Sequence, residues 1–443
     1  MDVILERSHQ LKQALVDFVL DAEGELAQAL ETYAAEQLRR GSGDSTQQDL
    51  TIDSFLTAGK VGDKSPLELF IESHPDLAES DRSLINSWHH TFIGLFAISD
   101  ILPNGFELTN WLTDKRYIVK PNNTQTLQAI SRLKVGEILL TRISPVTDSY
   151  WMFSGPYTIM GKLGKPKLAV AIGNFKENYK SNLYSDAPDL LEEAWQSVEQ
   201  YHQQFVDFFG TDEITLPGYQ LNKKIAEFQE VITEKTFAAA GIDTSKSLAE
   251  VAEAAGIGDE EIKAAAQEFG ADSNVVSEMF NSKGGNSKMV MPKVDLPAEL
   301  KKAEQVTALS HPRWGQMFLP TYSKVQAILS ADDWQSVQGA EKLIRYYLED
   351  KSINAFIWHR LAQQYPTQLE NLLQTFLQRP FRLESDLDTL LQEFHKPIEP
   401  ELPDIASVPI HLHNLFQEAL GEVNKSKPKG KGQQKPAKGF QRG

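Results

Sequence analysis

Thr91–Ile101, TFIGLFAISDI, opens the one long run that reads as strand in a chain that otherwise reads as helix. It is bulky, β-branched and free of proline, a composition that suits a pleated, half-buried surface. Pro103-Asn104-Gly105 follows with turn chemistry, because Asn and Gly tolerate positive φ. Phe106–Leu112 resumes the alternation, with Phe106, Leu108 and Asn110 on one face and Glu107, Thr109 and Trp111 on the other. Thr113-Asp114 makes the next turn and Tyr117-Ile118-Val119 a third strand. Gly136–Val146 (GEILLTRISPV) and Tyr150–Gly161 (YWMFSGPYTIMG) supply a fourth and a fifth. Short strands with a turn between neighbours predict a small antiparallel β domain, barrel-like or a curled sheet. A sheet of that size needs helices over one face to be stable.

Outward from this stretch the pattern becomes helical, so the predicted fold is mainly α with a small antiparallel β domain, multi-domain and α+β overall. Met1–Arg40 carries an apolar stripe at helical spacing, and Gly24 bends or splits it. Gly41–Gln48 is a break, and Asp49–Ala58 a short amphipathic element. Ser65-Pro66-Leu67-Glu68 combines a capping serine, proline at the first helical position and glutamate three residues on, which opens a helix. Ser80–Trp88 reads as a further helix and Leu168–Ile172 as one more apolar strand. Pro188–Phe209 and Leu221–Ala240 read as amphipathic helices, each stopped by glycine. Beyond them, helices are predicted at Trp314–Leu329, Ser336–Glu349, Ile353–Tyr365, Thr367–Phe376, Leu387–Phe394 and His411–Val423.

The implied domains are a helical segment at 1–87, a β-rich domain at 88–175 and a helical segment at 185–280. A linker at 281–297, a helical domain at 298–423 and a disordered basic tail at 424–443 complete the chain. Within Thr244–Phe280, Ala252, Gly256 and Ile262 have helix-turn-helix spacing. The second helix would open Asp259-Glu260-Glu261, which repels phosphate, so an acidic unit that packs on or recruits protein is the better reading.

The chain has 443 residues and no cysteine, which excludes disulfides, thiolate nucleophiles and cysteine-held metals. The first residues lack the apolar core of a signal peptide, and no run is long and apolar enough to predict a transmembrane segment. These features imply a soluble, cytoplasmic protein. The net charge of −17 is unevenly placed. No acidic residue follows Glu422, whereas Lys425, Lys427, Lys429, Lys431, Lys435, Lys438 and Arg442 lie in the tail. An acidic body opposes binding to polyanions, and a basic tail favours it.

Two groups are candidates for binding. The seven tail cations form a partner-binding arm. Trp111, Arg116, Tyr117, Arg142 and Trp151 have the composition of a stacking surface for single-stranded nucleic acid, provided that the rings face outward. The competing reading makes the rings core and the cations solvated. His411-Leu412-His413 is the best metal-like pair, but in a first helical turn residues i and i+2 diverge, which makes them capping or packing groups. No nucleophile elbow, phosphate-binding glycine loop or Walker lysine occurs, so the sequence names no catalytic residue, cofactor or metal.

Ile405–Lys427 (IASVPIHLHNLFQEALGEVNKSK) and Phe208–Leu221 (FFGTDEITLPGYQL) resemble pieces of a soluble cyanobacterial family of unknown biochemistry. That resemblance implies a cytoplasmic setting in a photosynthetic bacterium and no reaction type. The expectation from sequence is a noncatalytic interaction protein, an adaptor, assembly factor or chaperone-like accessory. Its tail would dock on an acidic protein or ribonucleoprotein surface. The alternative is an RNA-binding protein that reads its ligand with the small β domain.

Overall fold

The computed structural model describes residues 2–38, 45–121, 133–239, 289–291 and 293–426. Contacts divide the chain into two compact units, Met1–Leu190 with Pro409–Gly443, and Leu191–Val408.

The first unit opens with α1 (Val3–Leu20) and α2 (Glu25–Leu38), separated by a turn at Gly24. The Asp2 side chain starts α1 by accepting the N–H of Leu5 at 3.2 Å. Ser8, Leu11, Leu15 and Val19 are buried at spacings of three or four, and Lys12 next to Leu11 is buried with them, which puts a lysine inside the apolar stripe. α3 (Ser45–Ala58) follows, then α4 (Pro66–Ser73) and α5 (Glu79–Ser87). The capping box predicted before α4 is present. Ser65 Oγ accepts the N–H of Glu68 at 3.2 Å, and the Glu68 carboxylate accepts the N–H of Ser65 at 2.7 Å.

The five predicted strands form as β1 (Phe92–Leu102), β2 (Gly105–Asn110), β3 (Arg116–Lys120), β4 (Ile138–Thr147) and β5 (Tyr150–Gly161). Their pairings close on themselves in the order β1-β2-β3-β5-β4, a closed barrel. The sheet is not wholly antiparallel as expected. β3 and β5 pair in parallel, Val119 against Trp151 and Lys120 against Met152, and this contact closes the ring. Alternation sorts the side chains. Phe92, Phe96, Leu108, Tyr117, Val119, Leu139, Ile143 and Phe153 pack together as one core. Ile93 and Leu95 of β1 instead pack with Leu168, Ile172 and Phe175 and with Leu412 and Leu415. Met152 of β5 joins α1, α3 and α4 through Leu15, Phe55 and Phe70. Helical layers therefore meet the outward residues of the strands.

One expectation fails here. Leu168–Ile172 is part of a helix, Lys165–Asn178, and not a strand. Gly164 precedes it and Pro166 sits in its first turn, where proline is favoured. Leu168, Ala171, Ile172 and Phe175 make a helical stripe that a five-residue window cannot separate from an apolar strand. The helix Ile410–Ser426 packs against it, with Lys165 Nζ 2.9 Å from Glu418.

The second unit holds a three-stranded antiparallel sheet, with Val306–His311 between β6 (Glu213–Leu216) and Gly315–Leu319. The predicted helix Trp314–Leu329 divides into that last strand and a helix, Tyr322–Leu329. The cause is a tight hairpin: His311 Nδ1 accepts the N–H groups of Arg313 and Trp314, both at 3.1 Å. Gly315 then takes φ +70°, a left-handed conformation that side chains resist. Helices Ala340–Glu349, Ala355–Gln364, Pro366–Leu377 and Leu383–Glu393 share one core around Tyr347, Trp358, Leu361 and Leu373. The predicted unit at Thr244–Phe280, the linker Asn281–Ser287 and the tail beyond Ser426 lie outside the described residues.

The capping box gives a direct test of local stability. Ser65→Ala is expected to destabilise the protein by about 1 kcal/mol, read from denaturant unfolding. Because Ser65 and Glu68 act as one box, adding Glu68→Ala should cost less than the two single losses summed.

Candidate functional site

A cleft of about 830 Å³ opens in the first unit between α1, α3 and β5. Its walls are mixed. Val16, Leu20, Ile52, Met152, Pro156 and Tyr157 are apolar, and His9, Lys12, Asp53 and Ser154 are polar or charged. At its floor the Asp53 carboxylate binds three groups. Lys12 Nζ lies 2.8 Å from one oxygen, and Ser154 Oγ donates to that same oxygen at 2.8 Å. Arg142 Nε donates to the other oxygen at 2.7 Å. Lys12 also donates to Ser154 Oγ at 3.0 Å, and Arg142 donates to Thr57 Oγ1 at 2.5 Å. The three charged side chains are only 6–9% exposed.

Local pattern places each of them. Phe153 points into the strand core, so Met152 and Ser154 on either side point out toward the helices. Arg142 lies where the β4–β5 register shifts between Thr141 and Ile143, and it also points outward while Ile143 points in. The backbone at Gly155 comes so near that an added Cβ would lie 3.2 Å from the Asp53 side chain. Burial by itself would raise the Asp53 carboxyl, but Lys12 and Arg142 outweigh it and hold it down at about 2. Burial lowers the Lys12 ammonium below its ordinary value, against the pull of Asp53. His9 Nε2 is buried beside this cleft without a hydrogen-bond partner among the described residues, and burial holds its imidazole below the usual range.

The proposed stacking surface is overturned by where its members lie. Tyr117 is buried within the strand core, and Trp151 packs against that core edge-on to it, ring centres 5.3 Å apart. The Tyr117 hydroxyl donates to Asp186 at 2.9 Å, and burial raises its pKa. Trp111 is half-buried with the helices outside the strands, where its carbonyl lies 2.8 Å from His411 Nε2. Arg142 is spent on Asp53. Arg116 is the exposed member, 73% accessible and 3.3 Å from Glu107. The rings and cations therefore share no open face, because the ring core and the ion cluster take them up separately. Of the tail cations, Lys425 falls in the last turn of the helix Ile410–Ser426, and Lys427, Lys429, Lys431, Lys435, Lys438 and Arg442 lie outside the described residues. His411 is engaged by its hydrogen bond to the Trp111 carbonyl, and no group of three potential metal ligands occurs among the described residues.

A second polar cluster sits in the second unit. Arg360 reaches both oxygens of Asp212 at 2.7 and 2.9 Å, and Glu213 at 3.0 Å. Nearby, His202 lies 3.2 Å from Ser310 Oγ, with its ring centre 6.4 Å from that of His311. Burial lowers both imidazoles; Asp212 opposes this at each ring, and at His311 the neighbouring His202 and Arg360 add to it. None of Lys12, Asp53, Ser154, Asp212 or Arg360 was marked by sequence. The available signal was a charge within an apolar helical stripe, as at Lys12 between Leu11 and Leu15.

Comparisons with models of protein families, with curated proteins and with solved structures return no match for this chain.

Two measurements test these clusters. Asp53→Ala strands two buried cations and is expected to cost about 3–5 kcal/mol in denaturant unfolding. His202 and His311 are favoured neutral in the fold, whereas the unfolded chain binds protons from about pH 6.5 downward. Their contribution is complete above that pH and is lost as pH falls. The melting temperature should therefore drop between about pH 7 and 5, and His202→Gln should make the drop shallower.

Proposed function

We propose that this chain is a noncatalytic interaction protein, an adaptor or assembly factor that docks through its cationic C-terminal arm on an acidic partner. The supporting observation is how the arm is attached. The helix Ile410–Ser426 is bound to the first unit by Leu412 and Leu415, by the His411 contact to Trp111 and by the Glu418 pair with Lys165. The run of cations begins at the end of this fastened helix, in a chain whose net charge is −17. The cations thus follow directly on a helix fastened to an acidic body, which itself repels polyanions.

A protein or ribonucleoprotein face rich in carboxylates or phosphates supplies the complement. A cytosolic setting fits the absence of cysteine, and no helix among the described residues is long and apolar enough to cross a membrane. The resemblance to a cyanobacterial family belongs to the same proposal. The RNA-reading alternative loses its support because the rings meant to stack on bases are part of the core.

Removal of 427–443 takes away six of the seven cations. Affinity capture from lysate at two salt concentrations, with and without nuclease, is expected to show a salt-sensitive partner held by the full chain and not by the truncated one. The melting temperature should be the same for both. Equal capture by the truncated chain overturns the proposal, and loss of capture on nuclease treatment transfers it to RNA.

A further inference from the structure

We propose that the cleft between α1, α3 and β5 binds a small monocarboxylate with an apolar body, its carboxylate directed at Lys12. This goes beyond the docking arm and uses none of its residues. Asp53 and Arg142 neutralise each other and already join α3 to β4. Lys12 adds a second buried cation, and among the described residues Asp53, already paired with Arg142, is the one carboxylate within ion-pair distance of it. An ammonium has three N–H donors, of which Asp53 and Ser154 take two. A surplus buried charge is costly, and a ligand that brings one negative charge removes that cost.

The rest of the cleft narrows the ligand class. About 830 Å³ is within the range of small-molecule sites, and the apolar wall of Val16, Leu20, Ile52, Met152, Pro156 and Tyr157 suits a hydrocarbon or aromatic body. His9 Nε2, buried beside the cleft and without a hydrogen-bond partner among the described residues, is a further polar group for the same ligand. Asp17 and Asp49 also line the cleft and are exposed, so they repel a ligand of several negative charges. The arrangement favours one carboxylate and disfavours phosphate, nucleotides and polycarboxylates.

The test uses the full chain, with octanoate and 3-phenylpropionate as probes. Their uncharged amides and inorganic phosphate serve as controls, and calorimetric titration and thermal unfolding are the readouts. At least one acid is expected to bind saturably and raise the melting temperature, with its amide at least tenfold weaker and phosphate without effect. Lys12→Met leaves Asp53 and Arg142 balanced. It should keep or raise the melting temperature of the free protein while weakening the acid at least tenfold. Ala14→Trp, at an exposed position on the cleft wall, fills the space without touching the ion cluster and should abolish binding. It decides the matter should Lys12→Met fail to fold. Equal binding of acid and amide, unchanged binding in the folded variants, or no binding of either acid at millimolar concentration would overturn the assignment.

Discussion

The Asp53 carboxylate is where four segments of the first unit are tied together. Lys12 arrives from α1, Arg142 from β4 and Ser154 from β5, while Asp53 itself belongs to α3. Each segment could bury apolar residues in several registers, since apolar contact has no direction. Charge-assisted hydrogen bonds with buried donors have far fewer solutions. The cluster therefore fixes which turn of α1 and of α3 lies over which residue of the strands. The apolar layer around Leu15, Phe55, Phe70 and Met152 then supplies the greater part of the attraction.

The same geometry explains why the strands carry two kinds of surface. Inward residues form an aromatic core in which Phe92, Tyr117 and Trp151 meet edge to face. Outward residues are shared between two helical layers, one through Met152 and Arg142 and the other through Ile93 and Leu95. A ring of five strands covered in this way gives its rings to packing and Arg142 to an ion pair. That accounts for a composition that imitates a nucleic-acid surface without forming one. Composition records which side chains are near in sequence, and the pleat sends neighbours to opposite sides.

Much of the architecture was legible. The five strands, the Ser65 capping box, the split at Gly24 and the helix Pro188–Phe209 follow from local rules of alternation, capping and spacing. What escaped depends on partners distant in the chain. The parallel β3–β5 contact leaves no local mark, and the strand Gly315–Leu319 depends on a turn closed by His311. The candidate site was the least legible part. Lys12 and Asp53 are ordinary residues of two separate helices, and their meaning comes from Arg142 and Ser154, which no spacing rule connects to them. Asp212, Glu213 and Arg360 escaped for the same reason.

The ties at Asp53 also set an order of events as the chain is made. Asp53 meets Arg142 across 89 positions, and Lys12 meets Ser154 across 142. Helices α1 and α3 leave the ribosome well before the strands that complete their polar contacts, and domains made N-terminal first must hold such intermediates open. Until β4 and β5 emerge, both charges stay hydrated and the apolar faces of those helices lack part of their cover. Contacts this distant in sequence carry a large loop-closure cost, so the charges lose their water only as the strand ring closes over them.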